Sequence, residues 1–564
     1  MPRLARSPAA LKDRYDAIVV GSGYGGGVAA SRLARAGKRV CVIERGREIQ
    51  TGEFPSRFPE MRNEMQIRGR RTSFGKPTAL YDVRLGEDMH VLVACGLGGG
   101  SLVNAGVALR PDPRVFADPI WPGQIAQDGL LDEGYARATR WLRPAHHAGA
   151  SSLTKYRSLE AANKGLAASL VNPPVVVSFD ANVNPAGIAQ PACTLCGDCC
   201  AGCNVGAKNT VALTYLPDAV RHGAEIFTEI RVTHIAPRPN GGWRLHTQPA
   251  GAETGDKSTA RTIETDIVVL AAGTLGSTEI LLRSRDRGLD LSDRLGHRFS
   301  ANGDIIAFGY GAKSPVNAIG IGHPPKLADW QVGAAVSAQI DVTDPDCLEN
   351  EMHIQEGALP SALAPMLPVM FVPNGRLLGA LQSLISGVYK GPLSSLQTFF
   401  AVSHDEAKGR FQLDDEGRLQ LHWAGAKDDP VYKRLDKALT TLVETAGGSY
   451  VKNPLAGSVM GHQPATAHPL GGCGMGRDTT DGVVNHKGQV FRSSGPAGTA
   501  TVHEGLYVID GAVIPRSLGV NPLLTITALS ERALVHMGRD MGFVADASAR
   551  HGDRPATPFD LPAP

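Results

Sequence analysis

A chain of 564 residues is too long for one ordinary core, and at about 100–200 residues per domain it implies two to four units, two being the simplest reading. With 57 Lys and Arg against 55 Asp and Glu, the near-zero net charge gives no electrostatic reason to expect nucleic acid or an acidic surface as partner, and a small neutral substrate fits better. Residues 1–15 are basic without an apolar run of signal-peptide length, and no stretch of about 18 uncharged apolar residues reads as a spanning helix. A cytoplasmic protein is expected, with peripheral membrane contact left open. The 66 glycines and 38 prolines are spread without a repeat, and only residues 545–564 read as a loose end.

The first elements form a βαβ unit: an apolar strand over residues 16–20, an Ala- and Leu-rich helix over 25–36 and a second strand over 39–43. Between strand and helix lie Gly21, Gly23, Tyr24, Gly25 and Gly26, where missing side chains tighten the turn and let a pyrophosphate approach the positive helix end. Glu44 closes the second strand, placed for ribose hydroxyls, and Arg45 follows it. A dinucleotide is expected here, although the unit alone does not separate NAD from FAD. Residues 95–106 add a second glycine-rich backbone surface (Gly96, Gly98, Gly99, Ser101, Ala105, Gly106) with one amide, Asn104. That surface suits a flat ring system; a glycine-rich hairpin without ligand is the other reading.

Cys193, Cys196, Cys199 and Cys203, with Cys200 among them, carry the C-x2-C-x2-C-x3-C spacing of ferredoxin-type clusters, without the proline that usually follows the fourth ligand. Three readings stay open: an iron-sulfur cluster, a structural zinc or disulfide arrangement, and a cysteine-rich turn that binds nothing. A strand over 267–271 then runs through Ala272 and Gly273 into a helix expected over 277–283. Late in the chain a strand over 506–509 reaches Asp510 and Gly511, and a helix is expected over 523–537.

The dinucleotide domain is therefore assembled from 1–115, 193–300 and 465–545, with 116–192 and 301–464 forming a substrate or cap domain and 546–564 a tail. The expected class is α/β: a discontinuous Rossmann-type domain plus an inserted α+β domain built on an antiparallel sheet. Residues 359–402 are apolar with few charges, including 377–388; core helices are expected there, with a hydrophobic pocket or membrane-touching lid as the functional version.

Taken together, the N-terminal fingerprint, residues 95–106, Ala271–Ser277, His468–Gly472, Tyr507–Ala512 and Gly519–Pro522 resemble the glucose-methanol-choline oxidoreductases, within them the cholesterol oxidase-like branch. The resemblance implies FAD, with Gly98 to Asn104 along the flavin, Val232 touching the adenine side through its backbone, and Asp510 and Gly511 near the pyrophosphate. Ala272, Gly273, Pro522 and Leu523 join the same site. Some relatives attach FAD through a His in the glycine-rich segment; Ser101 to Asn104 holds none, so FAD is expected to be noncovalent. The resemblance makes His468 the catalytic histidine and Asn521 its partner on the substrate oxygen, an Asn-Pro turn being the alternative for Asn521.

Glu356 falls where cholesterol oxidases carry a carboxylate that moves a proton during double-bond isomerisation; a solvated carboxylate is the other reading. The expected reaction is oxidation of a steroid, terpenoid or long-chain alcohol by hydride transfer to flavin N5. A primary fatty- or aryl-alcohol enzyme is one alternative, and an electron-transfer or redox-sensing flavoprotein another. The cysteine run departs from the well-known secreted relatives and leaves the acceptor open between dioxygen and an electron carrier.

Overall fold

The computed structural model describes residues 2–70, 72–252, 259–327, 330–371, 387–452, 463–494 and 500–549. Its central sheet has eight strands. Glu225–Phe227, Val40–Ile43, Arg14–Val20 and Arg261–Leu270 lie side by side in parallel, and Val502–Val508 pairs in parallel with the second half of Arg261–Leu270. These strands are near-continuous apolar runs, as a sheet covered on both faces demands. The strand expected over 267–271 starts six residues earlier, because residues 261–265 pair antiparallel with Trp243–Pro249.

The crossover helix Tyr24–Arg35 packs against Leu523–Met541, and the buried Arg32–Glu531 pair at 2.5 Å joins the N- and C-terminal parts of the chain. Gly25 is required where the crossover helix passes the end of strand Val502–Val508: a Cβ there would drive into the carbonyl of Ile509.

A second sheet has six strands, all antiparallel, in the order Ser449–Val451, Ile305–Tyr310, Gln397–Ser403, Met352–Glu356, Gln339–Val342, Ser169–Val171. A five-stranded sheet, containing Tyr81–Leu85 and His90–Ala94, lies alongside. The architecture is α/β, with a discontinuous Rossmann-type sheet and an antiparallel sheet in the inserted region.

The expectation of core helices across 359–402 is corrected. Gln397–Ser403 is a central strand, as its Thr-Phe-Phe-Ala-Val run suits a pleated, buried surface, and Leu367–Met370 is a single turn. The part at 377–388 lies outside the described residues up to 386. Residues 545–549 of the expected tail are docked: Trp141 donates to the carbonyl of Ala547 at 2.9 Å and Arg35 pairs with Asp546 at 2.7 Å. The remainder, 550–564, lies outside the described residues. Among the described residues no helix is long and apolar enough to cross a membrane.

Candidate active site

A cavity of about 1050 Å³ is lined by Val20, Ile43 and Ala271 at the carboxyl ends of parallel strands, and by Gln355 and Phe400 from the antiparallel sheet. Ligands of open α/β sheets bind in such a crevice. Gly21 holds φ +94°, and its turn abuts Ala271 so closely that any side chain would strike that carbonyl. The second glycine loop touches the first, for a Cβ on Gly99 would lie 2.8 Å from the Cα of Gly23. Backbone thus forms the floor of the cradle.

Glu44 accepts from the Ser22 hydroxyl at 2.6 Å and from the Gly46 N–H at 2.7 Å. Asn104 donates to the Tyr24 hydroxyl at 2.7 Å, whereas its carbonyl oxygen is buried without a partner. An unpartnered acceptor lining a cavity fits the ring N–H of a flavin. Asp510 accepts from the Gly273 N–H at 2.8 Å, the Ser277 hydroxyl at 2.5 Å and the Ala512 N–H at 2.8 Å, and burial pushes its pKa up to about 6. It thereby anchors the N-terminus of helix Gly273–Arg285, whose positive end faces the cavity and suits a pyrophosphate.

Two side-chain pairs line the same cavity. His468 Nδ1 lies 2.9 Å from Asp304 Oδ1, while Asp304 Oδ2 accepts from the Thr466 hydroxyl at 2.8 Å and from the N–H groups of Ala467 and His468 at 2.9 and 3.0 Å. Donors surround the carboxylate on every side, which assigns the ring proton to Nδ1 and leaves Nε2 as an acceptor. Asn521 accepts from Gln355 Nε2 at 2.6 Å and donates back at 3.4 Å; Gln355 in turn donates to Gln339 at 2.8 Å. This chain fixes which end of the Asn521 amide accepts and which donates.

Of the residues singled out in the sequence, Gly21, Gly23, Tyr24, Gly25, Glu44 and Arg45 line the cavity from the first loop, and Gly99, Asn104, Ala105 and Gly106 from the second. Val232, Ala272, Gly273, Asp510, Gly511, His468, Asn521, Pro522 and Leu523 line it too. Gly26, Gly96, Gly98 and Ser101 stand behind this wall; the Ser101 hydroxyl is used between Gly98 O at 2.6 Å and Val211 N at 3.0 Å. Glu356 is not brought to the cavity. Side chains alternate along Met352–Glu356, so Gln355 and its cross-strand neighbour Phe400 face the cavity and Glu356 faces away, 2.7 Å from buried Lys155. Burial pushes its carboxyl pKa up against the pull of that ammonium. Asp304 and Gln355 carry no sequence signature of their own: one merely precedes an apolar strand, the other stands beside Glu356.

A nucleotide cradle facing a histidine with a fixed tautomer defines a dinucleotide-dependent oxidoreductase. The chain belongs to the GMC oxidoreductase family, whose N-terminal model matches residues 15–301 and whose C-terminal model matches 437–530. It is accordingly an FAD-dependent enzyme acting on alcohols. Cholesterol oxidase from Mycobacterium tuberculosis is 28% identical, covering 93% of this chain and 91% of its own, and cholesterol oxidase from Acinetobacter baumannii is 26% identical, covering 93% and 94%. A long-chain-alcohol oxidase from Arabidopsis thaliana is 26% identical over 91% of this chain and 66% of its own. In fold the chain is similar to pyridoxine 4-oxidase from Mesorbium loti, with a TM-score of 0.59, 17% identity and coverage of 93% and 99%.

Proposed function

We propose that this enzyme oxidises a bulky hydrophobic alcohol, a steroid, terpenoid or long-chain alcohol, to its carbonyl. The observation that carries the reading is the convergence of the His468–Asp304 and Asn521–Gln355 pairs on one cavity with the glycine cradle. FAD, when bound, supplies the hydride-accepting N5. His468 takes the substrate's hydroxyl proton on Nε2, and Asp304 stabilises the resulting imidazolium through Nδ1. Asn521 Nδ2, oriented by Gln355, donates to the substrate oxygen as negative charge gathers there. Leu359, Leu363, Phe400 and Val402 supply an apolar wall that excludes water and favours hydrocarbon over sugar. Relatives named for cholesterol and for long-chain alcohols support the same preference.

FAD is held without a covalent bond, since residues 95–106 contain no histidine; release of all flavin on acid precipitation tests this. Glu356 holds Lys155 and positions the sheet behind Gln355. Electrons leave the flavin to dioxygen or to a carrier. Cytoplasmic residence suits the nine free thiols. Anaerobic mixing with sterols, fatty alcohols, benzyl alcohols and sugars tests the substrate class. Flavin bleaching by sterols or long-chain alcohols is expected, and bleaching by sugars alone would overturn it.

A further inference from the structure

All nine cysteines are free; Cys199 lies in the small core formed with Val107, Val177 and Ala334–Val336, Cys193 and Cys203 pack against that core, and Cys196 packs against a second one made by Ile321, Val332 and Ala358. Each of the six pairs among these four thiols is close enough to interact electrostatically. Cys200 packs against the same core as Cys199 and also lines the flavin cavity; the C-x2-C-x2-C-x3-C spacing is what leaves it outside the quartet.

No two of these sulfurs are bonded, which sets the disulfide reading aside; zinc and a cluster are told apart by acid-labile sulfide, which only a cluster contains.

Two observations point to an anion among these sulfurs. Lys208, 1% exposed, donates to the carbonyls of Asn104 at 2.5 Å, Cys199 at 3.1 Å and Leu102 at 3.2 Å, and among the described residues no carboxylate pairs with it. A buried ammonium answered only by carbonyls and thiols is costly unless negative charge joins it. Backbone N–H groups also face the sulfurs: Leu195 donates to Cys193 at 3.4 Å, Asp198 faces Cys196 and Ala335 faces Cys199. Such donors stabilise thiolate ligands.

The loop is preformed by other means. Asp198 accepts from the Gly322 and Ser361 N–H groups, both at 2.6 Å, and Gly202 closes on the ring of Phe54 with no room for a side chain. We propose that residues 193–203 are a built site for an iron-sulfur cluster ligated by Cys193, Cys196, Cys199 and Cys203, against the wall of the flavin cradle. Lys208 joins the two sites, its ammonium bonding the carbonyls of Asn104 and Cys199. Resting on the alcohol-oxidising reading for its electron source, the cluster passes electrons singly. Each alcohol oxidised to carbonyl releases two electrons and two protons, the electrons going to two equivalents of a one-electron acceptor such as ferricenium.

The test is anaerobic purification from iron-supplemented cells, followed by iron, zinc and acid-labile sulfide assays and electron paramagnetic resonance before and after dithionite. Stoichiometric iron and sulfide beside flavin, with a paramagnetic signal in one redox state, are expected; flavin alone, or zinc without sulfide, overturns the site. Cys196→Ser should lose iron and sulfide while keeping flavin, and Cys200→Ser should keep iron and sulfide. Iron retained in full by Cys196→Ser would refute the assigned ligands. Should Cys196→Ser fail to fold, Cys193→Ser replaces it, with loss of iron and sulfide at retained flavin expected and iron retained in full counting against the assigned ligands. Because the metal assays use no substrate, an iron-loaded protein whose flavin no alcohol bleaches would sink the alcohol reading and leave the site standing.

Discussion

Replacing Asp304 with Asn changes the charge of the residue behind His468 but hardly its shape. The amide oxygen can still accept from Thr466 and from the N–H groups of Ala467 and His468, now at 2.8–3.0 Å from Oδ2. The amide NH2 then faces His468 Nδ1, at 2.9 Å from the present Oδ1, and forces that nitrogen to accept. The ring proton moves to Nε2, the atom required to take the substrate proton. A positioned general base contributes about 10²–10⁴-fold, equivalent to about 2.7–5.4 kcal/mol of barrier, and the tautomer change forfeits most of it. Rapid anaerobic mixing with a saturating alcohol isolates flavin reduction from reoxidation. The reduction rate should fall by about two to four decades with flavin content unchanged. A variant that reduces its flavin at the wild-type rate would refute the assigned tautomer and the role of Asp304 with it.

Gln355→Leu frees the Asn521 amide from its 2.6 Å anchor, so kcat should fall about tenfold with little change in KM, an interaction of about 1–2 kcal/mol exercised mainly in the transition state; a pure KM effect would argue against this. Glu356→Gln leaves Lys155 buried without its carboxylate, which should cost about 3–5 kcal/mol and lower the melting temperature, while folded protein keeps alcohol-driven flavin reduction. Loss of reduction without loss of stability would instead return Glu356 to the chemistry. Asp405, which braces Ala301 and Gly303 just before Asp304, has its pKa raised from 3.8 to about 6 by burial. The folded state keeps this proton where the unfolded chain has released it, so its contribution to stability falls as pH rises from about 4 to 6 and is flat above. Denaturation of Asp405→Asn and wild type across pH 4 to 7 should show the gap moving by about 3 kcal/mol in favour of the variant, and a constant gap would refute the raised pKa.

Local pattern made the βαβ unit legible, because glycine positions and apolar strands are set by neighbours a few residues away. Contacts made across the chain were not. The helix expected from residue 277 begins at Gly273, since the Asp510 carboxylate, 237 positions away, takes up its first N–H. An apolar run alone does not separate strand from helix, so the stretch 359–402 reads as core helices although its end belongs to the strand Gln397–Ser403. His468 could be found through the glycine- and proline-rich segment that carries it, yet Asp304 lies 164 positions away with no local signature. Glu356 was one residue from Gln355, and on a strand one residue is the opposite face.

The place of Val502–Val508 beside Arg261–Leu270 has a consequence for biosynthesis. A ribosome adding about 5–20 residues per second needs roughly 12–48 s to travel from Leu270 to Val508. Throughout that interval the nascent sheet keeps an apolar edge unpaired at Val268–Leu270, and the nucleotide cradle lacks Asp510. Flavin capture therefore waits on the strand Val502–Val508 and the Asp510 that follows it, and until they arrive the half-built sheet exposes an edge that chaperones can shield.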